Sequence, residues 1–300
     1  MTLMINDVKK KFGKHKAVDG LSLTVERGSM FGMLGANGAG KTTTFRMILG
    51  LLDPTNGSVT WDGKQLSYKR THLVGYLPEE RGLYPKLTVK EQLIYLMRLK
   101  GMKKQDIIEA MRRWLEKFQV PEYENKKIEE LSKGNQQKIQ FIAAVLHDPE
   151  LLILDEPFSG LDPVNTDMLR DAVQDLQEKG TTIVFSSHQM RNVEELCEDL
   201  IMLKRGEPVL QGNLKEIKRS YGMKSISIRA DYDLQFLDDR PGVLSLDNTK
   251  DGATVKVENE QVAEDLFYTI AQEGFVRKFE VEEPSLHDIF VDKAGGDEDE

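Results

Sequence analysis

Hydrophobic positions along this chain change their period several times, and each change predicts an element. Leu3, Ile5 and Val8, then Leu21, Leu23 and Val25, alternate as half-buried strands do. Met30-Phe31-Gly32-Met33-Leu34 is a continuous apolar run that leads through glycines into Phe45-Arg46-Met47-Ile48-Leu49, which reads as a helix. Asp53-Pro54-Thr55-Asn56-Gly57 predicts a turn and Ser58-Val59-Thr60-Trp61 a strand after it. From about Glu79 to Glu130 the pattern is helical. Thr88 and Glu91 make a capping box ahead of Leu93, Tyr95, Leu96 and Leu99. Ile107, Met111, Leu115 and Phe118 follow as an apolar stripe of the kind that packs a core. Leu151-Leu152-Ile153-Leu154 is apolar throughout, as a buried parallel strand would be, and Thr181 to Ser187 repeats that character up to His188.

Past Gly222 the pattern starts afresh. Lys224 to Ala230 and Ala253 to Val257 alternate as strands, Gln261 to Gln272 is helical, and Gly274 to Glu282 returns to strand. Pro284 to Val291 predicts a short closing helix, where His287 beside Asp288 makes too weak a pair for a metal site. This predicts a small α+β accessory domain over residues 223–292, with 293–300 as an acidic, disordered tail.

The chemistry concentrates at the ends of the apolar runs. Gly35-Ala36-Asn37-Gly38-Ala39-Gly40-Lys41-Thr42-Thr43 stands between a strand and a helix, the order a nucleotide phosphate site needs. Glycines let backbone N–H groups close around phosphates, and the helix N-terminus adds partial positive charge. Lys41 is placed to reach the β- and γ-phosphates, and the Thr42 hydroxyl to ligate Mg²⁺. At the end of the Leu151 strand, Asp155 suits Mg²⁺ and Glu156 suits polarising an attacking water.

Two further segments complete an ordered set. Leu131-Ser132-Lys133-Gly134-Asn135-Gln136-Gln137 precedes a helical stretch, and Ser159-Gly160-Leu161-Asp162 follows the acidic pair. Over about residues 3–220 this succession resembles the ATP-binding cassette (ABC) family of ATPases. The resemblance implies an α/β P-loop NTPase cassette over residues 1–222, with a mixed sheet and a helical subdomain at about 79–135. It implies ATP as substrate and a site completed by dimerisation, in which Ser132 and Gly134 of one subunit contact the γ-phosphate held by the loop of another. Asp162 would lie at the seam of a homodimer or pseudo-dimer, and His188 would contact the γ-phosphate. Phe12 stands where the family stacks an aromatic ring on adenine, although a core position is the other reading. The family's usual glutamine after the strand that enters the helical subdomain is Glu79 here, either facing Mg²⁺ or a neutral variant. Lys133 and Asn135 replace glycine and glutamine; Lys133 is either a cation near the opposite γ-phosphate or a solvated side chain. The helical insert would meet an integral membrane permease, with Leu83-Tyr84-Pro85-Lys86-Leu87 as the contact or an ordinary apolar loop. C-terminal extensions of this kind resemble those of bacterial export systems, with sodium or a drug-like solute as candidate cargo.

Composition narrows the classes. Forty-one basic against 50 acidic residues give a net charge of −9, which argues against a nucleic-acid partner. The single cysteine, Cys197, excludes an internal disulfide and is expected to be buried on a helix. The N-terminus lacks a signal-peptide pattern, and no apolar run approaches the ~20 residues needed to span a bilayer. A transport role would therefore place the pore in another chain and this one on the cytoplasmic face. A soluble ABC ATPase acting on ribosomes or nucleic acid would carry tandem cassettes or a basic face. A non-enzymatic subunit would have lost Lys41, Glu156 or His188, and all three are present.

Overall fold

The structure, a computed structural model, describes residues 2–66, 68–80 and 82–295. These part into two compact units between Gln211 and Gly212. The first unit opens with β1 (Leu3–Phe12), β2 (His15–Val25), β3 (Met30–Leu34), α1 (Lys41–Ile48) and β4 (Asn56–Trp61). β1 lies between β2 and β4, antiparallel to both. Leu3, Ile5 and Val8 are all buried because the register slips between Ile5 and Val8, where Asp7 takes φ 42. A bulge absorbs the extra residue and keeps the three side chains on one core.

Next come β5 (Val74–Leu77), α2 (Val89–Leu99), α3 (Lys104–Lys117) and α4 (Lys133–Val145). They are followed by β6 (Leu151–Asp155), α5 (Pro163–Glu178), β7 (Thr182–Ser187), α6 (Met190–Leu196), β8 (Asp199–Lys204) and β9 (Glu207–Asn213). The second sheet runs β5-β6-β7-β3-β8-β9, and its first five strands are parallel. Every residue of β3, β6 and β7 is buried, which is why these strands read as unbroken apolar runs. Only Arg205 and Gly206 join β8 to β9, with φ 51 and 85. Such a two-residue turn sends the chain back antiparallel, so the sheet is mixed. Leu3, Ile5 and Trp61 of the small sheet share one core with Phe45 and Ile48 of α1 and with Met33, Ile153 and Val184 of the large sheet.

The helical insert begins at the expected capping box. Glu91 N donates to Thr88 Oγ1 at 3.2 Å, and Thr88 N donates to Glu91 Oε2 at 2.9 Å. Ile107, Met111, Leu115 and Phe118 are buried, and Phe118 meets Phe141 of α4 edge-on with centroids 5.8 Å apart. Glu124 ties α3 to α2 by accepting from Arg112 and Lys90, whose hydrogen bonds hold its carboxyl down at about 2.

The second unit comprises α7 (Leu214–Ser220), β10 (Lys224–Ala230), β11 (Val243–Thr249), β12 (Gly252–Val257), α8 (Glu260–Glu273), β13 (Val276–Glu282) and α9 (Leu286–Gly295). Its strands form an antiparallel sheet in the order β11-β12-β10-β13. Ala263, Leu266 and Ile270 of α8 close its core over Ile226, Ile228, Val255 and Val257. Two expectations are corrected. The division falls eleven residues before 222/223, because Asn213 caps α7 and this helix belongs to the second unit. α9 continues to Gly295, so residues 293–295 of the expected tail are helical, and residues 296–300 lie outside the described residues.

Candidate active site

β7 lies between β3 and β6 in the sheet and all three run parallel, so their C-terminal ends are neighbours. Open α/β sheets hold ligands at such ends. Here β3 releases the glycine loop, β6 delivers Asp155 and Glu156, and β7 ends just before His188.

The loop is fixed by what surrounds it. Gly40 caps α1 at φ 105 with no side-chain bond, so the first-turn N–H groups remain available to an anion. A Cβ at Gly40 would come within 2.5 Å of Ala17 O, and one at Gly35 within 2.6 Å of Leu203 O. Gly206 N, in the β8–β9 turn, donates to Ala39 O at 3.1 Å. Lys41 is buried inside this curve. Its Nζ donates to Gly35 O at 2.6 Å and Ala36 O at 3.3 Å.

Beneath the loop the acidic pair is held from several sides. Thr42 Oγ1 donates to Asp155 Oδ2 at 2.8 Å, and Ser186 Oγ donates to Asp155 Oδ1 at 2.6 Å. The same Ser186 hydroxyl accepts from Glu156 N at 3.0 Å. Glu156 sits at φ 51, a strained conformation for a non-glycine residue, and is buried. His188 Nδ1 stands 2.8 Å from Glu156 Oε2. Glu156 Oε1 is buried without a hydrogen bond; the Lys41 ammonium, 3.4 Å away, contacts it only as an ion pair. A buried carboxylate oxygen with a spare lone pair is uncommon outside functional sites.

A cavity of about 460 Å³ opens at the glycine loop, lined by residues 36–43 together with Phe12, His15, Ala17 and Glu79; Asp155, Glu156 and His188 are not among its lining residues. Phe12 is 50 % exposed and carries Lys10 Nζ 5.3 Å from its ring centroid, so it is not a core residue. Ser132, Gly134 and Asp162 do not line this cavity. They form a second cluster. Ser132 caps α4, accepting from Asn135 N at 3.4 Å, and Asp162 caps α5, accepting from Asn165 N at 2.9 Å. Gly134 packs against Asn165 and Leu161. The backbone and side-chain amides of Asn165 hold the Asp162 carboxyl below the usual range. Ser132 and Lys133 are both exposed.

The ABC transporter family profile matches residues 18–159, and a DrrA1-3-like ATP-binding protein C-terminal domain matches residues 212–294. The chain is 59% identical over 293 residues to YhaQ of Bacillus subtilis, an ABC transporter ATP-binding protein, covering 98% of each. The chain belongs to the ABC transporter family.

This ABC ATPase also shares 39% identity with the ATP-binding protein NatA of Bacillus subtilis, over 68% of this chain and 85% of NatA. With the bacitracin transport ATP-binding protein BcrA of Bacillus licheniformis it shares 31%, over 97% and 96%. Among solved structures, an ATP-binding subunit of an ABC transporter superposes with a TM-score of 0.69 at 29% identity, over 74% of this chain and 94% of that one. The chain is thus an ABC-type ATP hydrolase subunit built on the cassette fold.

Three residues that sequence reasoning passed over complete the site. Ser186 bridges Asp155 and Glu156; a serine interrupting the run Ile183-Val184-Phe185 was its signal. Gln137 and Gln140 lie one turn apart on α4, behind the Ser132 cap. Gln137 Nε2 donates to Pro157 O at 3.2 Å, beside Glu156. Gln140 Nε2 donates to Pro78 O at 3.2 Å and Glu80 O at 3.0 Å, the two carbonyls that flank Glu79. One helix thereby positions both acidic loops. Gln140→Ala is expected to lower stability by about 1–3 kcal/mol in urea unfolding, as two carbonyls lose a buried donor. Its ATP turnover should fall as well, because the Glu79 loop loses its anchor. Stability lost with turnover unchanged would restrict Gln140 to packing.

Proposed function

We propose that this ABC ATPase pairs with a second ATPase subunit around two Mg²⁺·ATP and drives a separate membrane permease in export. The division of the site carries this reading. The cavity is lined by the glycine loop, whose Lys41 Nζ stands 3.4 Å from Glu156 Oε1 with His188 against the same carboxylate, while the exposed Ser132 and Asp162 cluster with Gly134 away from that cavity. Two subunits facing each other would each supply what the other lacks. A bacterial ABC cassette whose structure is dimeric shares the fold, at a TM-score of 0.65 and 24% identity. Relatives named for bacitracin transport and Nod factor export favour export and a drug-like cargo.

Among the described residues no helix is long and apolar enough to cross a membrane. The permease is therefore a separate chain in this reading, with the ATPase on the inner face of the membrane. Its contact is the segment Leu83–Leu87. Leu83 borders an apolar hollow of about 390 Å³ with Leu49, Leu51, Leu96 and Met97. Tyr84, Pro85, Lys86 and Leu87 border another with Tyr95.

The oxygen donors at the floor fit Mg²⁺: the Thr42 hydroxyl and the Asp155 carboxylate, already 2.8 Å apart, with Glu79 lining the same cavity. Among the described residues no cluster of three or more His, Cys, Asp or Glu could cage a metal, as expected of an ion carried mainly by phosphate oxygens. When bound, Mg²⁺ offsets negative charge on the phosphates. The chain's own residues do the rest. Loop N–H groups and Lys41 bind the phosphates, Glu156 takes the proton of the attacking water, and His188 orients that carboxylate.

Glu79→Gln tests the placement of the metal. A carboxylate about 4 Å from a phosphate charge is repelled by roughly 4 kcal/mol at an effective dielectric of 20, and much less for an exposed group such as Glu79. E79Q should bind ATP more tightly without Mg²⁺ and so reduce the Mg²⁺ dependence of affinity, read by titration calorimetry. An unchanged ratio of affinities with and without Mg²⁺ would place Glu79 away from the metal. The function itself is tested by purifying the ATPase from solubilised membranes and identifying what accompanies it. An integral membrane protein whose reconstitution stimulates ATP turnover is the expected result, and recovery of only soluble partners would overturn the transport reading.

A further inference from the structure

The cavity at the glycine loop extends along the β1–β2 hairpin. Ala17 of β2 marks the junction: it lines the cavity, and its carbonyl oxygen stands 2.5 Å from where a Cβ on Gly40 would lie. His15 is two residues further out on β2, about 7 Å at the rise of a strand. His15 also lines the cavity, and across the hairpin it pairs with Phe12, another lining residue. Gly13, at φ 60, begins the two-residue turn that joins them. Opposed residues of an antiparallel pair project from one face of the ribbon, with Cβ atoms about 5 Å apart. The Phe12 and His15 rings are therefore neighbours on the same wall.

Their chemistry differs from that of the loop. Apart from residues 36–43, the described lining residues are Phe12, His15, Ala17 and Glu79, so the hairpin contributes two flat rings and a methyl group. Lys10 braces the Phe12 ring, its Nζ 5.3 Å from the centroid and donating to Asp53 O at 2.6 Å. His15 is exposed, and Phe12 half exposed, so both rings can receive a ligand. With phosphates in the glycine loop, a wall about 7 Å beyond Ala17 suits the nucleoside end of the molecule. A single pyrimidine ring covers one of the two side chains, whereas the fused rings of a purine cover both. We propose that His15 contacts the nucleobase and forms with Phe12 a two-ring shelf that selects purine over pyrimidine nucleoside triphosphates. This rests on the reading that the base lies against Phe12, and adds to it a second residue and a selectivity.

The test is calorimetry on the full chain with Mg²⁺, titrating ATP, GTP, CTP and inorganic tripolyphosphate into the parent, F12A, H15A and H15F. His15 is exposed at the end of the hairpin, so H15A removes no core contact. The parent should bind ATP and GTP more tightly than CTP. H15A should weaken both purine nucleotides about tenfold, the scale of one lost stacking contact, and CTP much less. Tripolyphosphate affinity should not change, and H15F should bind purines as the parent does. If F12A binds ATP as the parent does, the base lies elsewhere and the underlying reading falls with the shelf. If F12A weakens ATP but H15A does not, the shelf alone is overturned. An H15A that loses tripolyphosphate as much as ATP, equal losses of ATP and CTP, GTP binding like CTP, or H15F as weak as H15A would each overturn it as well.

Discussion

Glu156→Gln is expected to keep ATP binding and to lower ATP turnover by a factor on the order of 10² or more. The substitution preserves shape and removes the base. Glu156 is held by its backbone N–H to Ser186, by His188 against Oε2, and by the Lys41 ammonium near Oε1. The first two contacts do not require a charged side chain; the Lys41 ion pair is lost, but Lys41 keeps its hydrogen bonds to Gly35 O and Ala36 O, which hold the loop's path. In the proposed mechanism the Glu156 carboxylate takes the water's proton, and an amide oxygen, though a hydrogen-bond acceptor, is not basic enough to do so. Steady-state hydrolysis with the purified variant, alongside nucleotide affinity by calorimetry, reads both halves of the expectation. Near-normal turnover by E156Q would remove Glu156 from the role of base. Loss of binding together with turnover would point instead to a collapsed loop.

Ser132→Arg is expected to abolish the ATP-dependent dimer while the monomer still binds nucleotide. Ser132 lies outside the cavity that holds the glycine loop, on the exposed N-terminus of α4. An arginine there adds bulk and charge to the proposed seam, outside the cavity that the glycine loop lines. The cost to folding is limited to the helix cap, about 1 kcal/mol, since the Asn135 N–H donates to Ser132 Oγ at a long 3.4 Å. Light scattering in the E156Q background, which is expected to retain ATP, separates dimer from monomer. An S132R protein that dimerises with ATP as fully as its parent would defeat the composite site.

The local grammar of the first unit was legible residue by residue. The strand, glycine loop and helix order, the Thr88 capping box and the apolar stripe of α3 are short-range patterns, and each appears where its spacing put it. The second unit was harder to read. β11 was passed over because Val243 to Thr249 is mostly half-buried or exposed and shows little apolar alternation. The boundary was set too late because cassette motifs run out near Gly222, whereas the contacts change at Gln211. Cys197 is buried as expected, although it terminates α6 rather than lying within it.

The sequence by itself determined that this protein carries a glycine loop between a strand and a helix and an acidic pair at a strand end, and belongs with the ABC ATPases. Those facts reside in contiguous residues, whose spacing and backbone freedom are set locally. Only the tertiary structure decided which distant side chains act together. Thr42 and Asp155 are 113 positions apart and Glu156 and His188 are 32 apart, yet each pair meets at 2.8 Å. Gln137 and Gln140 become anchors of the acidic loops only because α4 packs behind them, and Ser186 becomes a bridge only because β7 lies beside β6. The physical reason is that a parallel sheet brings strand ends together in an order the chain does not follow. A hydrogen bond then forms wherever that order leaves a buried donor beside a buried acceptor.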